Sequence, residues 1–571
     1  MYFDSSLRLH YLRQSVVGKN VHPPPTPSET FPVYAQLDSK GEYFLFWKFN
    51  KTHITFETHV KTLGYVGFGI SHNGDMYPAD VVIGWVDNGK VHFKDRHTLG
   101  HYEPIIDDSQ DWTLLAGFER GEHTVLKFVR ALDTCDDKQD IKITDGTVRV
   151  IYSYHPDDPQ HETGLTYHGG ASRGSKSLML LDEVPQGKQT PPDTKHFDFI
   201  NKKFVIPAQK TFYHCTAYRL PSLARKHHMF KWEAILQPGN EDLVHHILVY
   251  TCPGHIDPSR DGASYECYEH PPHDLRRCNR VFIAWAVGGD AFTLPDHVGI
   301  SIGTPEDAQF VVLETHYNNP GRRQNVVDSS GLRMFYTPTL RQYDAGILET
   351  GVMVHELQMI PPEFDNFVSK GICNQQCVSR MTGAHSGGVK VIAAFLHAHL
   401  LGMGVTTRHF RNGTELAPIM KDEHYDFDFQ EYRLLKEERL ITKDDVLQTE
   451  CYYKSRGLNR FTYGGLSTSD EMCLSFLMYY PKVPVFACLS VPIYSEYRST
   501  QDRSDSALRR YLQTLDWTNS TVRNEFQKHT DDSLYYLECR ENHIHHKGTT
   551  ENPPKILHPY TEPVNSACSN H

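Results

Sequence analysis

The sequence has no long apolar segment. No run of eighteen or more apolar residues occurs in its 571 residues, so no stretch predicts a membrane-spanning helix. The first residues, MYFDSSLRLHYLRQ, are too polar to form the apolar core of a signal peptide. Either the true N-terminus is missing from this sequence or the chain is not exported, and the cysteine and sequon pattern described below favours a missing N-terminus.

The sequence also lacks blocks of lysine or arginine. It has 58 basic and 70 acidic side chains, with a formal net charge of −12. Proteins that bind nucleic acid need clustered positive charge to neutralise phosphates, so we expect no nucleic-acid partner. A hydrophobic share of 39% and a charged share of 22% are typical of a folded globular protein, long enough here for three or four domains.

Closely spaced cysteine pairs are scarce. Of twelve cysteines, only Cys373 and Cys377 lie near each other, and no second close pair completes a zinc cluster. An even number of scattered cysteines instead favours disulfides and an oxidising compartment. Sequons at Asn50, Asn412 and Asn519 predict glycosylation there. We therefore expect the secretory pathway: the endoplasmic reticulum lumen, a secretory vesicle or the extracellular space.

Short alternating apolar runs between turn signals predict an all-β protein. One helical period is clear, at Leu508, Tyr511, Leu512 and Leu515, with Ser504 or Asp505 as its cap. The predicted organisation is a leader (1–30), a β-sandwich (31–154), a proline-rich and charged linker (155–196), two further β domains (197–344 and 345–491) and a mostly irregular C-terminal tail (492–571).

The segment VIAAFLHAHL, residues 391–400, is the first candidate for a functional site. His397 and His399 are two residues apart, so in a β-strand their side chains project from the same face. Two imidazoles on one face can bind a metal ion while the apolar neighbours pack on the other face. Two ligands rarely complete a site, so others must come from elsewhere in the chain.

Further candidate ligands are His245, His246, His316 and Met472. Imidazoles with a thioether suit copper, whereas zinc rarely uses methionine and non-haem iron prefers carboxylates. Each residue taken alone has a simpler interpretation. A lone methionine usually fills a core, and adjacent histidines in a regular strand point to opposite faces, so His245 and His246 can share a metal only if the strand is locally distorted.

The order of these motifs decides between the interpretations. The chain contains YHC, HHILVY, VLETHYNNP, FLHAHL and DEMC in succession, together with AWAVGGDAF, GLRMFYTPTLRQYDAG and GGLSTSDEMCLSFLMYYP. This series resembles the copper type II, ascorbate-dependent monooxygenases, in their dopamine β-hydroxylase-like branch, over nearly the whole chain. The resemblance implies a DOMON-like β-sandwich at the N-terminus, followed by two copper-binding antiparallel β-sandwich (jelly-roll) domains.

The resemblance also implies the site residues. His245, His246 and His316 match the ligands of an electron-storing copper, and His397, His399 and Met472 match those of the copper at which oxygen reacts. Tyr213, two residues before Cys215, matches the family's active-site tyrosine, and His397 matches the histidine marked as catalytic. The implied disulfides are Cys135–Cys568, Cys215–Cys267, Cys252–Cys278, Cys373–Cys488, Cys377–Cys539 and Cys451–Cys473, of which those with a cysteine in the C-terminal tail tie the tail down.

The implied reaction is hydroxylation of a C–H bond with O2, ascorbate as electron donor and two copper ions per chain. Phe395, Leu474 and Phe476 stand where the family's peptide-amidating members have polar peptide anchors, so they predict an apolar substrate pocket. One alternative is a dopamine or tyramine β-hydroxylase, which would need a carboxylate in the pocket. Another is a copper-binding or extracellular interaction protein without turnover. The sequence determines neither the substrate nor whether the protein forms a homo-oligomer.

Overall fold

The structure, a computed structural model, describes residues 13–14, 23–182, 190–269, 271–289, 291–383, 387–541, 544–545, 548–563 and 568. Most of the predicted leader (1–30) lies outside these residues. The described residues form many strands and three α-helices, which confirms the all-β prediction. The chain divides into two compact units, residues 1–188 with 563–571 and residues 189–562.

The first unit is a sandwich of two six-stranded sheets. Their strand orders are β1-β2-β3-β4-β10-β9 and β12-β11-β5-β6-β7-β8. Buried aromatic side chains such as Trp47, Phe56, Phe68 and Phe128 fill the space between them. The strands are β1 (Arg13–Gln14), β2 (Val33–Gln36), β3 (Tyr43–Phe49), β4 (His53–Val60), β5 (Val66–Ser71), β6 (Ala79–Asp87), β7 (Lys90–His97), β8 (Ile105–Ile106), β9 (Thr113–Arg120), β10 (His123–Ala131), β11 (Val148–Tyr154) and β12 (Arg173–Leu178).

The predicted linker contains part of this sandwich. Strand β12 pairs antiparallel with β11, and Leu180 and Leu181 belong to the core. The indole N–H of Trp47 donates to the carbonyl of Leu180 at 3.0 Å. Residues 155–196 are mostly polar, and this composition is typical of a linker. Strand β12 lies at the edge of its sheet, where a strand needs few apolar residues, so its sequence does not differ from that of a linker. Within residues 155–196, the proline-rich segment after residue 182 lies largely outside the described residues.

In the second unit, residues up to 344 form two main sheets, β13-β24-β16-β21-β25 and β18-β15-β22-β17-β19. Short 3-10 turns span Pro258–Arg260 and Leu275–Arg277. The strands are β13 (Lys195–Ile200), β14 (Phe204–Ile206), β15 (Thr211–Arg219), β16 (His227–Ile235), β17 (Val244–Thr251), β18 (Ser264–Glu266), β19 (Arg280–Ala286), β20 (Phe292–Thr293), β21 (Val298–Ile302), β22 (Phe310–Asn318), β23 (Val326–Asp328), β24 (Gly331–Thr337) and β25 (Tyr343–Asp344).

The rest of the second unit is built on the sheets β32-β29-β35-β26-β36-β37-β38 and β28-β33-β30-β31. The strands are β26 (Gly346–Val352), β27 (Met359–Ile360), β28 (Phe367–Cys373), β29 (Val389–Ala398), β30 (Gly402–Arg411), β31 (Thr414–Asp422), β32 (Arg433–Ile441), β33 (Asp445–Tyr453), β34 (Thr462–Tyr463), β35 (Cys473–Tyr480), β36 (Val485–Pro492), β37 (Tyr535–Glu541), β38 (Ile544–His545) and β39 (Thr549–Glu551). The helices are α1 (Gln375–Thr382), α2 (Asp505–Leu512) and α3 (Ser520–Asp532), and a 3-10 turn spans Ser495–Tyr497.

One hydrophobic core joins the two halves of the second unit. Ile283, Val311 and Leu313 from the first half pack in the same cluster as Phe395 and Phe476 from the second half. A shared core of this kind holds the two halves together as one compact body. Of the candidate ligands, His245, His246, His316 and His397 lie on strands, whereas His399 directly follows β29 and Met472 directly precedes β35.

The C-terminal tail is more ordered than its composition predicts. Helix α2 begins after Ser504, whose side chain accepts from the Ala507 N–H, as the predicted cap requires. Leu508 and Leu512 are buried, whereas Tyr511 is about half exposed. Strand β37 pairs antiparallel with β36 and so extends the main sheet. Long-range pairing of this kind is invisible to a local sequence pattern.

All twelve cysteines form disulfides, and the six pairs are those implied by the family resemblance. Two of them reach the C-terminal tail: Cys135–Cys568 and Cys377–Cys539. Disulfides persist in oxidising compartments. Among the described residues, no helix combines the length and apolar character needed to cross a bilayer.

The Cys377–Cys539 disulfide, which links α1 to β37, should stabilise the second unit. The double variant Cys377→Ala/Cys539→Ala should lower the free energy of unfolding by about 2–5 kcal/mol, because the cross-link restricts the unfolded chain. Urea unfolding followed by tryptophan fluorescence measures this. The control is Gln376→Ala, an exposed change on the same helix, which should have little effect on the free energy of unfolding. Equal free energies of unfolding for the wild type and the double cysteine variant would contradict the stabilising role of the disulfide.

Candidate metal centre

A β-bulge brings two consecutive histidines to one side of the sheet. Strand β17 pairs antiparallel with β22, but the register shifts between Val244, opposite Tyr317, and His246, opposite His316. His245 is therefore the extra, unpaired residue. A bulge kinks the strand and changes the direction of a side chain, so His245 and His246 no longer point to opposite faces. This is the local distortion that the sequence argument required.

Three imidazoles converge at this bulge. The Nδ1 atom of His246 lies 3.2 Å from Nδ1 of His245 and 3.4 Å from Nδ1 of His316. The three side chains are buried, and burial lowers the pKa of His245 to about 3 and those of His246 and His316 well below their usual value. All three rings are consequently neutral at physiological pH, the form that binds metal.

Tyr213 stacks on this group. On β15 it pairs with His316, and the two rings lie 4.4 Å apart at an angle of 8°. Its hydroxyl donates to the carbonyl of Leu466, in the loop that precedes β35. Burial, with smaller contributions from Glu314 and Asp470, raises the pKa of Tyr213, so the phenol keeps its proton. The tyrosine therefore fixes the orientation of the His316 ring.

The second pair of histidines lies at the end of strand β29, with His397 inside the strand and His399 directly after it. His397 Nδ1 lies 2.7 Å from the side-chain oxygen of Gln430, and His399 Nδ1 lies 3.0 Å from the carbonyl oxygen of Asp470. Both oxygens only accept, so each Nδ1 carries the proton and each Nε2 keeps a free lone pair. The Gln430 amide is held in turn by its N–H bond to the carbonyl of Phe427 at 2.7 Å. Such partners fix the tautomer of a metal-binding histidine.

Glu471 connects the His399 segment to the Met472 segment. Its buried carboxylate accepts from the backbone N–H groups of His399 at 2.8 Å, Leu401 at 2.7 Å and Met472 at 3.2 Å. The carbonyl of Met472 also accepts from the Tyr453 hydroxyl at 2.6 Å. Met472 is thus held just beyond the point at which Ala398 pairs with Cys473. The thioether and the two imidazoles come from neighbouring strands of one sheet.

The two histidine groups lie side by side. The His246 and His397 ring centres are 6.0 Å apart. Phe427 stacks on His245 with ring centres 4.0 Å apart and meets His399 edge-on at 6.0 Å. One aromatic ring therefore contacts a histidine of each group. The structure therefore brings together five of the candidate ligands, with Met472 held next to them in the sheet.

The predicted pocket residues lie on the face that carries His397. In the β29–β35 ladder, Phe395 pairs with Phe476 and His397 with Leu474, and directly paired residues share a face. The Phe395 and Phe476 rings are 6.1 Å apart. In the next ladder, Glu349 pairs with Phe476. A carboxyl group therefore stands on the same face as the apolar side chains.

Sequence reasoning did not find four residues of this centre: Gln430, Phe427, Glu349 and Glu471. Gln430 and Phe427 lie far along the chain from the histidines they contact, Glu349 lies far from Phe476, and no spacing rule links them. Glu471 stands beside Met472 in DEMC, but its bonds to His399 and Leu401 span 72 and 70 residues.

Models of known protein families match three segments of the chain. The family model "Copper type II ascorbate-dependent monooxygenase, N-terminal domain" matches residues 197–324, and the model of the C-terminal domain of the same family matches residues 343–501. The chain belongs to the copper type II, ascorbate-dependent monooxygenases. A DOMON domain model matches residues 39–155. Copper, two ions per chain, and ascorbate are therefore the cofactors of this copper monooxygenase chain.

Individual relatives agree with this family. The chain is 44% identical to "DBH-like monooxygenase protein 1" of Gallus gallus, over 81% of this chain and 75% of the relative. It is 43% identical to the Homo sapiens protein of the same name, with the same coverage. To "Dopamine beta-hydroxylase" of Canis lupus familiaris it is 33% identical, over 81% and 74%.

The side chains fit copper. A metal bound by imidazole nitrogens at about 2.0–2.1 Å with tetrahedral angles places those nitrogens roughly 3.3 Å apart. The Nδ1 separations at His246, 3.2 and 3.4 Å, match this value. Two imidazoles with a thioether suit copper, because the sulfur favours Cu(I) while imidazole binds copper in both oxidation states. The chain thus offers two sets of copper-binding side chains, one of three imidazoles and one of two imidazoles with a thioether.

Glu471 should be a structural requirement of the centre. Glu471→Ala leaves one buried and two partly buried backbone N–H groups without an acceptor, and it should lower the free energy of unfolding by about 3 kcal/mol. Glu471→Gln keeps one acceptor oxygen and should cost less. Urea unfolding of the copper-free protein measures both, with the exposed change Glu437→Ala as control. A loss under 0.5 kcal/mol for Glu471→Ala would contradict the described role.

Proposed function

We propose that the protein hydroxylates a C–H bond of a small, largely apolar molecule, with O2 as the oxygen source and ascorbate as the electron donor. The observation that carries this proposal is the adjacency of two buried donor groups of different composition. In the proposal, His245, His246 and His316 hold one copper ion, and His397, His399 and Met472 hold the other. Bound copper would supply one-electron redox chemistry and the reaction with O2.

The chain's own residues would prepare the centre for that chemistry. Gln430 keeps the Nε2 atom of His397 free, and Tyr213 holds the His316 ring by stacking. Phe427 packs against one histidine of each group. A preorganised, water-poor centre protects reactive species from side reactions and holds the substrate bond near the reacting atoms. In this proposal His397 and Tyr213 are the catalytic side chains.

Phe395, Leu474 and Phe476 support an apolar substrate. They occupy the face of His397 and are buried in the core shared by the two halves, and none offers a partner to a peptide carboxylate. A site without the polar partner of a substrate group discriminates strongly against that group. We therefore propose that peptides are not substrates and that an aromatic or aliphatic group lies against the two phenylalanine rings.

The position of Glu349 supports a second candidate function, hydroxylation of arylethylamines such as tyramine or dopamine. It lies beside Phe476 on the pocket face, where its carboxylate can pair with a substrate ammonium. Burial raises the pKa of Glu349 to about 7, opposed by Arg540. Above that pH the group is charged and attracts a cation. Below it the group is neutral, and the pocket is wholly apolar.

We also propose a location in the secretory pathway, since six disulfides require an oxidising compartment. The three sequon asparagines are exposed: Asn50 and Asn412 lie in hairpin turns, and Asn519 caps α3. Exposed side chains in turns and caps are accessible to glycosylation. These positions support the proposal of modified asparagines.

The thioether of Met472 should be needed for turnover. Met472→Leu preserves volume but removes sulfur, so ascorbate-dependent O2 consumption with an arylethyl substrate panel should fall at least 100-fold. Met334→Leu, the same change at a fully buried core position, should leave the rate within twofold. Equal rates in the two variants, or no O2 consumption by the wild type, would favour a copper-binding protein without turnover.

Glu349 should distinguish the two substrate classes. If an amine is the substrate, Glu349→Gln should raise its KM at least tenfold and leave a neutral arylethyl analogue unaffected. The wild-type KM for the amine should also fall as the pH rises through about 7, because the carboxylate becomes charged. Equal effects on both compounds would contradict the amine candidate. Turnover of a glycine-extended peptide would contradict the apolar pocket.

A further inference from the structure

A cavity of about 440 Å³ lies in the second unit, on the side of strand β15 that faces away from His316. Neighbouring residues of a strand point to opposite faces of the sheet. Tyr213 points towards the metal centre, where its ring stacks on that of His316. Phe212, His214 and Thr216 therefore lie on the other face, and all three line the cavity. A single layer of sheet separates the cavity from the metal centre.

The inner wall of this cavity is buried and polar. His214 is 5% exposed and Thr216 is 3% exposed. The Thr216 hydroxyl lies 3.3 Å from Nε2 of His214 and 3.0 Å from the hydroxyl of Ser264 on β18. The ring of Phe204 stacks on His214 with ring centres 3.7 Å apart, and burial lowers the pKa of His214 to about 4. The imidazole is therefore neutral at physiological pH, and the wall presents uncharged hydrogen-bonding groups.

Two exposed lysines form the rim. Lys202 and Lys203 directly precede β14, and both line the cavity. The ammonium nitrogen of Lys202 lies 3.8 Å from the position that a Cβ on Gly262 would occupy, so it stands over the turn that leads into β18. Within the described part of the chain, neither ammonium group forms an ion pair. Glu266, which pairs with His214 between β18 and β15, adds one carboxylate to the lining. The lining thus carries two positive charges and one negative charge.

These groups fit a small acid with a single negative charge and several hydroxyls. The lysines attract an anion, whereas the Glu266 carboxylate repels a second negative charge and accepts a hydrogen bond from a hydroxyl. The volume lies in the lower half of the range for small-molecule pockets, roughly 300–1,000 Å³. The ascorbate monoanion, a compact lactone with hydroxyl groups, has this chemistry, and the copper monooxygenase family is ascorbate-dependent.

We propose that this cavity is the docking site for ascorbate. Lys202 and Lys203 bind the charged oxygen of its ring, and Thr216 and Ser264 form hydrogen bonds with its hydroxyls.

The position of the cavity suits delivery of an electron to the group formed by His245, His246 and His316. His214 follows Tyr213 in the chain, and the Tyr213 ring lies 4.4 Å from that of His316. An ascorbate monoanion loses one electron and one proton and becomes the ascorbyl radical anion. The proton passes to water, and the electron reduces Cu(II) to Cu(I). The inference rests on the proposed function, because copper is the electron acceptor.

The first test is ascorbate binding to the copper-free, full-length protein, measured by equilibrium dialysis without O2. The wild type should bind one ascorbate per chain with a saturable curve. Lys202→Gln/Lys203→Gln should raise the Kd at least tenfold, because both cations of the rim are lost. The matched control Lys195→Gln/Lys210→Gln removes two exposed charges of the same unit outside the lining, and its Kd should stay within twofold of the wild type.

Three results would overturn the proposal. One is no saturable binding, or the same Kd for the wild type and Lys202→Gln/Lys203→Gln. Another is an equal loss in the control variant, because net charge alone would then attract ascorbate. The third is displacement by inorganic phosphate as effective as displacement by unlabelled ascorbate, because the cavity would then bind any anion. Circular dichroism of each variant checks that the fold is retained.

A second readout uses the copper-loaded protein and follows the loss of its Cu(II) electron paramagnetic resonance signal. Lys202→Gln/Lys203→Gln should need at least tenfold more ascorbate for the half-maximal reduction rate and should keep the maximal rate, because only docking changes. An unchanged dependence on ascorbate would overturn the docking site. Wild-type binding of ascorbate without O2 consumption would contradict the proposed function alone, whereas O2 consumption without binding in the copper-free protein would contradict the docking site alone.

Discussion

The bulge in β17 is the constraint on which the metal centre depends. In a regular strand His245 would face away from His246, and three Nδ1 atoms could not converge with His316. Placing three neutral imidazoles together in a buried space is costly, because their polar nitrogens lose water. A bound cation offsets that cost. The local irregularity of the strand and the chemistry of the centre are therefore two aspects of one arrangement.

The second donor group is organised by a different means. His397 and His399 share a face by the ordinary two-residue period of a strand, and no bulge at these residues is needed. Their orientation instead depends on acceptors from distant segments, the Gln430 amide and the Asp470 carbonyl. Glu471 joins that strand end to Met472 through three backbone bonds. One centre is set by backbone geometry and the other by hydrogen bonds around it.

The sequence predicted the all-β class because alternating apolar runs are visible within each short segment. It predicted the copper family because several motifs occur in the family's order along the chain. It did not predict that β12 lies within the supposed linker, because an edge strand such as RGSKSL has little apolar content. It predicted the helical period of α2 with Ser504 or Asp505 as the cap, and the structure has Ser504 as the cap. It also grouped Tyr511 with the apolar positions, but Tyr511 is about half exposed because tertiary packing decides which of them are covered. Gln430 and Glu349 were missed because only the folded sheet brings them near His397 and Phe476.

The central claim is that two separate donor groups each hold one copper ion. The most direct measurement is copper content per chain after reconstitution, for the wild type, His246→Ala and His399→Ala, with His297→Ala as a surface control. The account predicts two copper ions in the wild type and control and one in each of the other variants. Two copper ions in all four proteins, or none in the wild type, would contradict it.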